Sequence, residues 1–294
     1  MFHRTFLLRA AAAGTALVLA GASPAGAHDE AQAPAAPGAP VFLAADLSGR
    51  NEVPPADLDG RGRALVRIVG TQVCFTLSWS KIGAPMAGHI HLGAAGVNGP
   101  VKVGFFAGAL PVPLSAATGC VNGAAADVDA IVANPAGHYV NLHNAEFPGG
   151  AIRGQLQALR AGVDLLAPFR SGKLAALLDG LQEIPGPADA DGHGTAFVRA
   201  HRTEVTFGLL WSGIGAPSAG HIHAGAVAVA GPIVVPLFAA AGGLPTSITG
   251  IAGVAPVTPD VSKPIANNPS RYYVNLHNAD FPAGAIRGQL FRVG

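Results

Sequence analysis

The sequence predicts an all-β protein of two tandem antiparallel β-sandwich or barrel domains, and three observations carry that prediction. The chain repeats itself, its apolar residues alternate as they do in strands, and turn-forming residues interrupt every run. Repetition comes first, because a period of this length fixes the architecture before any single element is read. "LSGRNEVPPADLDGRGRALVRI" returns as "LDGLQEIPGPADADGHGTAFVRA", and "VCFTLSWSKIGAPMAGHIH" returns as "VTFGLLWSGIGAPSAGHIH". "NPAGHYVNLHNAEFPGGAIRGQL" returns as "NPSRYYVNLHNADFPAGAIRGQL". Trp79 and Trp211 are 132 positions apart and Arg153 and Arg287 are 134 apart, so one small insertion lies between them. Within each copy "QVCFTLSW" puts Val73, Phe75, Leu77 and Trp79 on one face, and "HYVNLHN" sets Val140 and Leu142 against Tyr139, Asn141 and His143. With Gly 40 and Pro 24, long helices are disfavoured and short strands joined by turns are expected.

Taken in order, the chain begins with a leader-like segment. "MFHRTFLLR" supplies positive charge, "AAAGTALVLAGA" an apolar stretch, and "AGA" ending at Ala27 a small-residue cleavage site, so residues 1–27 read as a signal peptide. The apolar stretch is short for a membrane span, and no later segment offers about 20 uninterrupted apolar residues. A secreted or periplasmic protein without a membrane span is therefore expected. Residues 28–40, "HDEAQAPAAPGAP", form a Pro/Ala-rich lead with nothing to pack, and are expected to be disordered. Cleavage after Ala27 would leave His28 as the new N-terminus, whose amine and imidazole together are able to chelate copper. The two domains are placed at 41–160 and 172–294, with 161–171 as linker. One helical turn competes with strand in "GVDLLAPFRSGKLAALLDG". Charged residues make up 12% of the chain and the net charge is +1, which gives no electrostatic basis for a nucleic acid or anionic membrane partner.

Cys74 in "TQVCFTLSW" and Cys120 in "ATGCVNG" are the two cysteines. Thr206 and the region near Thr249, taken as their counterparts, carry none. Joint presence in one copy and joint absence in the other predict a disulfide rather than two buried free thiols, which fits an oxidising compartment.

The strongest functional signal is a set of histidines. "AGHIHLGAAGVNGP" and "AGHIHAGAVAVAGP" each hold two histidines one residue apart. In a strand, His89 and His91, or His221 and His223, share one face while Ile90 points to the core. A third recurs as His143 and His277 in "YVNLHNAEFP" and "YVNLHNADFP". Of eleven histidines, six fall in these two matched triplets, and the rest do not repeat. Imidazole suits Cu, Zn and Ni, and a set of nitrogen ligands favours copper over iron or manganese, with zinc as the alternative. Up to one ion per repeat is expected. The competing reading is that the histidines bond backbone carbonyls and brace turns, since duplication copies structural residues as faithfully as ligands. Asn141 and Asn275 share a face with the third histidine and are candidates to orient the ligands from behind. Arg153 and Arg287 in "GAIRGQL" either guide an anion to the metal or pair with Glu52 and Glu183, the ion pair being the better explanation of a charge in an apolar strand. The "NGP" and "AGP" segments read as turns.

These blocks resemble the CHRD domain, the module repeated in chordin and found singly or in tandem in many exported bacterial proteins. The resemblance covers nearly all of both repeats and implies an extracellular β-sandwich module. It implies no general activity. The cysteine-rich modules that accompany growth-factor binding in the animal relatives are missing here. The HxH pair, the late histidine and the downstream arginine are also similar to the copper side of copper/zinc superoxide dismutases. That likeness implies copper-ligand roles for His89, His91 and His143, and for His221, His223 and His277, with Arg153 and Arg287 steering superoxide. It makes an immunoglobulin-like or superoxide-dismutase-like topology the expectation. The bridging histidine and zinc-ligand loop of that family are missing, which weighs against dismutation more than against copper. The two functions carried forward are a metal-binding protein of the cell envelope and a metal-free structural or adhesive module. Hydrolysis is disfavoured by the lack of a nucleophile elbow and of a repeated carboxylate pair.

Overall fold

The first repeat is laid out by the period-2 pattern. A computed structural model describes residues 38–294 apart from Pro187; the expected signal peptide, His28 and most of the lead lie outside the described residues. The strands are β1 (Val41–Ser48), β2 (Arg61–Val69), β3 (Gln72–Ser80), β4 (Pro85–Leu92), β5 (Val101–Ala107), β6 (Leu114–Asn122), β7 (His138–Asn144), β8 (Ile152–Gln155) and β9 (Gln157–Ala158). One antiparallel half runs β1–β2–β3–β6 and the other runs β5–β4–β7–β8. The short β9, with one bridge from β8, lies along β1 and joins the halves. Val73, Phe75, Leu77 and Trp79 all point into the core, as their spacing predicts. Phe75 on β3 stacks on Phe105 of β5 with ring centroids 4.6 Å apart, so the two halves close over one apolar interior.

The second repeat reproduces this with β10 (Leu174–Asp179), β11 (His193–His201), β12 (Glu204–Ser212), β13 (Ala219–Ala224), β14 (Ile233–Ala239), β15 (Ile248–Pro256), β16 (Tyr272–His277), β17 (Ile286–Gln289) and β18 (Phe291–Arg292). The fold is all-β, as expected, with two short helices, α1 (Ala125–Ala133) and α2 (Pro259–Asn267), between the sixth and seventh strands of each repeat. The segment read as ambiguous between helix and strand holds one 3-10 turn at Ala167–Phe169 and then enters β10 as a strand. The insertion falls between the fifth and sixth strands, in residues 108–113 of one repeat and 240–247 of the other. The sixth strands are therefore offset by 134, and Val254, not the region near Thr249, stands opposite Thr206 where Cys120 stands opposite Cys74. The disulfide forms between Cys74 and Cys120. It closes a loop of 46 residues, and loop entropy of that size stabilises a fold by about 4 kcal/mol at most.

The two repeats share one seam. β6 pairs antiparallel with β15, with Ala117 opposite Ile251, Ala116 opposite Ala252 and Thr118 opposite Gly250. At an offset of 134 Ile251 is the counterpart of Ala117 itself, so a local two-fold axis passes through that pair. Isologous dimers meet in this way; here one chain supplies both partners. Residues 161–171, read as linker, lie across the seam. Phe169 is fully buried against Ala116, Ala252, Leu166 and Leu210, and the Thr76 hydroxyl donates to the Leu165 carbonyl at 2.7 Å. Gly208 replaces Thr76 in the second repeat, where a Cβ would stand 2.0 Å from the Phe169 oxygen. Among the described residues no helix is long and apolar enough to cross a membrane.

Candidate metal centres

Strand register assembles each histidine triad. β4 pairs with β7 so that His89 lies opposite Asn141, His91 opposite Tyr139 and Ala87 opposite His143. Ala87, His89 and His91 face the same way, so His143 stands diagonally beside His89 on the face away from the core. Ile90, Val140 and Leu142 fill the core on the opposite face. The second repeat repeats the register, with His221 opposite Asn275, His223 opposite Tyr273 and Ala219 opposite His277. All six predicted histidines thus converge as two groups, and within each the ligand atoms lie within 4.8 Å of one another.

Backbone carbonyls set the tautomers. His91 Nδ1 donates to the Gly99 carbonyl at 2.9 Å, and His143 Nδ1 donates to the Pro148 carbonyl at 3.1 Å. A carbonyl only accepts, so each ring carries its proton on Nδ1 and presents Nε2 as a bare lone pair. His89 Nδ1 lies 3.3 Å from His143 Nε2. His223 to Gly231 at 2.9 Å, His277 to Pro282 at 3.1 Å and His221 to His277 at 3.1 Å repeat every one of these contacts. Burial, then the neighbouring His143 and His91, pushes His89 down to about 4; burial, then His277 and His223, does the same to His221. The other four are also lowered, by burial first, against the opposing effect of their carbonyl bonds. The triads are therefore neutral at pH 7, the form in which imidazole binds a metal.

The donor set fits an ion. His91 Nε2 and His223 Nε2 are buried with no hydrogen-bond partner, an arrangement that costs about 1–3 kcal/mol unless something accepts the lone pair. Two nitrogens about 2.1 Å from a tetrahedral ion stand roughly 3.4 Å apart. The His89–His143 and His221–His277 spacings of 3.3 Å and 3.1 Å already lie near that value. The nitrogens that could hold an ion are thus His89 Nδ1, His91 Nε2 and His143 Nε2, and their counterparts. Three nitrogens around a four-coordinate ion would leave one position open.

Behind the histidines lies a buried polar layer. Asn141, Arg153, Glu52 and their counterparts Asn275, Arg287 and Glu183 are all buried. Arg153 Nε donates to the Asn51 carbonyl at 2.6 Å and stands 3.7 Å from a Glu52 oxygen. Its Nη1 donates to the Asn98 side chain at 2.7 Å. Glu52 is pushed up to about 7 by burial, which outweighs the lowering by Arg153 and Asn141. Glu183 is likewise raised to about 7 by burial, against Arg287 and Asn275. Asn275 donates to a Glu183 oxygen at 3.3 Å. Neither asparagine bonds a histidine ring; both lie in the same cross-strand row as the first histidine of the pair.

Several residues that build the site carried no readable side-chain signal. Gly99 and Gly231, read as turn residues, supply the carbonyls that fix His91 and His223. A Cβ at either would fall 1.6 Å from a backbone oxygen, Leu92 or Ala224, so only glycine fits. Asn144 Oδ1 accepts from the Phe147 amide at 2.8 Å and shapes the turn that presents the Pro148 carbonyl, as Asn278 does with Phe281. Tyr139 stacks on His91 with centroids 4.9 Å apart, and Tyr273 on His223 at 4.8 Å. The repeated "HNA" and "GP" pairs were visible in the sequence, but nothing local tied them to an imidazole.

With that geometry in view, the family model described as CHRD domain matches residues 43–156 and 174–290. The chain belongs to the CHRD family. Each CHRD copy spans the strands that carry one complete triad, together with the glutamate and arginine behind it. No curated protein sequence matches this tandem CHRD chain.

Proposed function

We propose that this tandem CHRD protein is exported and binds copper, one ion per repeat, to buffer or carry the metal. One observation carries the reading: a buried imidazole lone pair without a partner, on His91 and again on His223, set in each case within a cluster of three histidines, as the unpartnered Nε2 of His138 is not. A turn-bracing histidine needs only its Nδ1 bond, and nothing in that role explains why Nε2 is aimed beside two further neutral histidines. His89, His91 and His143, with His221, His223 and His277, would hold the ion; copper would supply one-electron chemistry at the open position. An all-imidazole set favours copper over earlier first-row metals, and zinc is the competitor. Export rests on the leader-like N-terminal sequence and agrees with the Cys74–Cys120 disulfide. Arg153 and Arg287 are 3% and 2% exposed and lie over tyrosine rings. Buried in this way they are poorly placed to meet an arriving anion, which favours holding copper over dismutating superoxide.

Copper titration of the purified protein with electron paramagnetic resonance tests the proposal. Two equivalents bound with a histidine-nitrogen signal are expected; no such signal up to two equivalents overturns it. A second reading, a metal-free structural module, draws on the bonds from Nδ1 to Gly99 and Pro148, which tie two loops to the sheet. Under that reading His89→Gln with His91→Gln lowers the melting temperature equally in chelator and in copper. Under the copper reading the larger loss is the metal-dependent increment.

A further inference from the structure

Each site shares one tyrosine ring between a ligand and a cation. Tyr139 stacks nearly parallel on His91, at 9°, and the Arg153 guanidinium lies over the same ring, 4.7 Å from its centroid. In the second repeat Tyr273 stacks on His223 at 13°, and the Arg287 guanidinium lies 3.6 Å from the ring centroid. The tyrosine hydroxyls accept from the amides of Gly99 and Gly231 at 3.2 Å and 3.1 Å. Those are the residues whose carbonyls hold the histidines, so ring, histidine and loop are tied to one another.

We propose that Arg153 and Arg287, acting through Tyr139 and Tyr273, bias the two sites toward copper(I), and do so unequally, the second repeat the more strongly. The inference rests on the copper reading given above. A fixed positive charge near a metal opposes its higher oxidation state and so raises the reduction potential, and the effect grows as the charge approaches. The inequality has a side-chain cause. Asn98 accepts from Arg153 Nη1 at 2.7 Å and the Asn51 carbonyl from Nε at 2.6 Å, which anchors the guanidinium away from the ring. Asn98 becomes Ala230 in the second repeat. Arg287 there bonds the Val229 carbonyl through Nη2 at 3.1 Å and settles onto Tyr273. Glu52 stands 3.7 Å from Arg153 Nε, whereas among the described residues Arg287 makes no such pair with Glu183, so ring distance and countercharge differ in the same direction.

Two full-length single-site proteins test this: one carrying His221→Gln, His223→Gln and His277→Gln, the other His89→Gln, His91→Gln and His143→Gln. Each is loaded with copper, its metal content is measured, and its midpoint potential is read by mediated titration of the copper(II) resonance. The second-repeat site is expected to have the higher potential. Asn98→Ala should raise the first-repeat value toward it. Arg153→Gln and Arg287→Gln should lower each value by about tenfold in the copper(II)-to-copper(I) affinity ratio, or ~59 mV for one electron, and Arg153→Lys should restore part of the loss. Asn98 is exposed and its replacement is the residue the second repeat already uses, so that variant decides the matter even if Arg153→Gln does not fold. Equal potentials in the two proteins, or an Asn98→Ala value unchanged with copper bound, overturn the proposal and leave the copper reading standing. Failure of both proteins to bind copper overturns both.

Discussion

Replacing His91 by phenylalanine separates a ligand from a brace, because the two roles predict different energies in different conditions. In metal-free protein, His91 Nε2 is buried without a partner, a defect of about 1–3 kcal/mol that phenylalanine removes. Phenylalanine also loses the Nδ1 bond to the Gly99 carbonyl, a contribution of about 1 kcal/mol, and keeps a flat ring against Tyr139. These effects oppose each other, so the metal-free stability should change by no more than about 1 kcal/mol either way. Copper at 100 times its dissociation constant should add about 2.7 kcal/mol to an intact site and nothing comparable to the variant. The comparison is made by urea unfolding in the background that lacks the second triad, after chelation and again with copper. A metal-free loss of about 3 kcal/mol or more, with no copper increment in the parent, would refute the reasoning and make His91 a structural residue.

Three further outcomes follow from the same geometry. Glu52 and Glu183 have folded values raised to about 7, so the stability they contribute is complete below their unfolded range and is lost as pH rises through about 7. His89 and His221, lowered to about 4, act in the opposite sense, their contribution present above the unfolded value and lost as pH falls through about 4. Glu52→Gln with Glu183→Gln should therefore make chelated protein gain stability with pH between 4.5 and 7 more steeply than the parent; superimposable urea midpoints across that range would contradict this. Gly99→Ala places a Cβ 1.6 Å from the Leu92 oxygen, and should weaken copper binding at the first repeat at least tenfold in competition titrations. Gly149→Ala, which meets nothing within 4 Å, is the control that should leave binding unchanged. Phe169→Ala empties the buried site across the seam and should cost about 3–5 kcal/mol; a loss under about 1 kcal/mol would mean that residues 161–171 do not help hold the repeats together.

The sequence by itself determined the repeat, the strand character and both triads. A period of two is a local property, so Val73, Phe75, Leu77 and Trp79 declared their core face, and His89 and His91 declared that they point together. Duplication then separated His143 and His277 from the histidines that do not repeat. What only the tertiary structure decided depends on pairing between distant strands. The register that sets Ala87 against His143 closes each triad, and the match of Ala117 to Ile251 makes the two repeats one continuous sheet. The carbonyls of Gly99 and Pro148 choose which nitrogen of each ring is free. Backbone groups belong to every residue alike and leave no mark in the side-chain pattern, so their role appeared only once the loops were folded over the sheet.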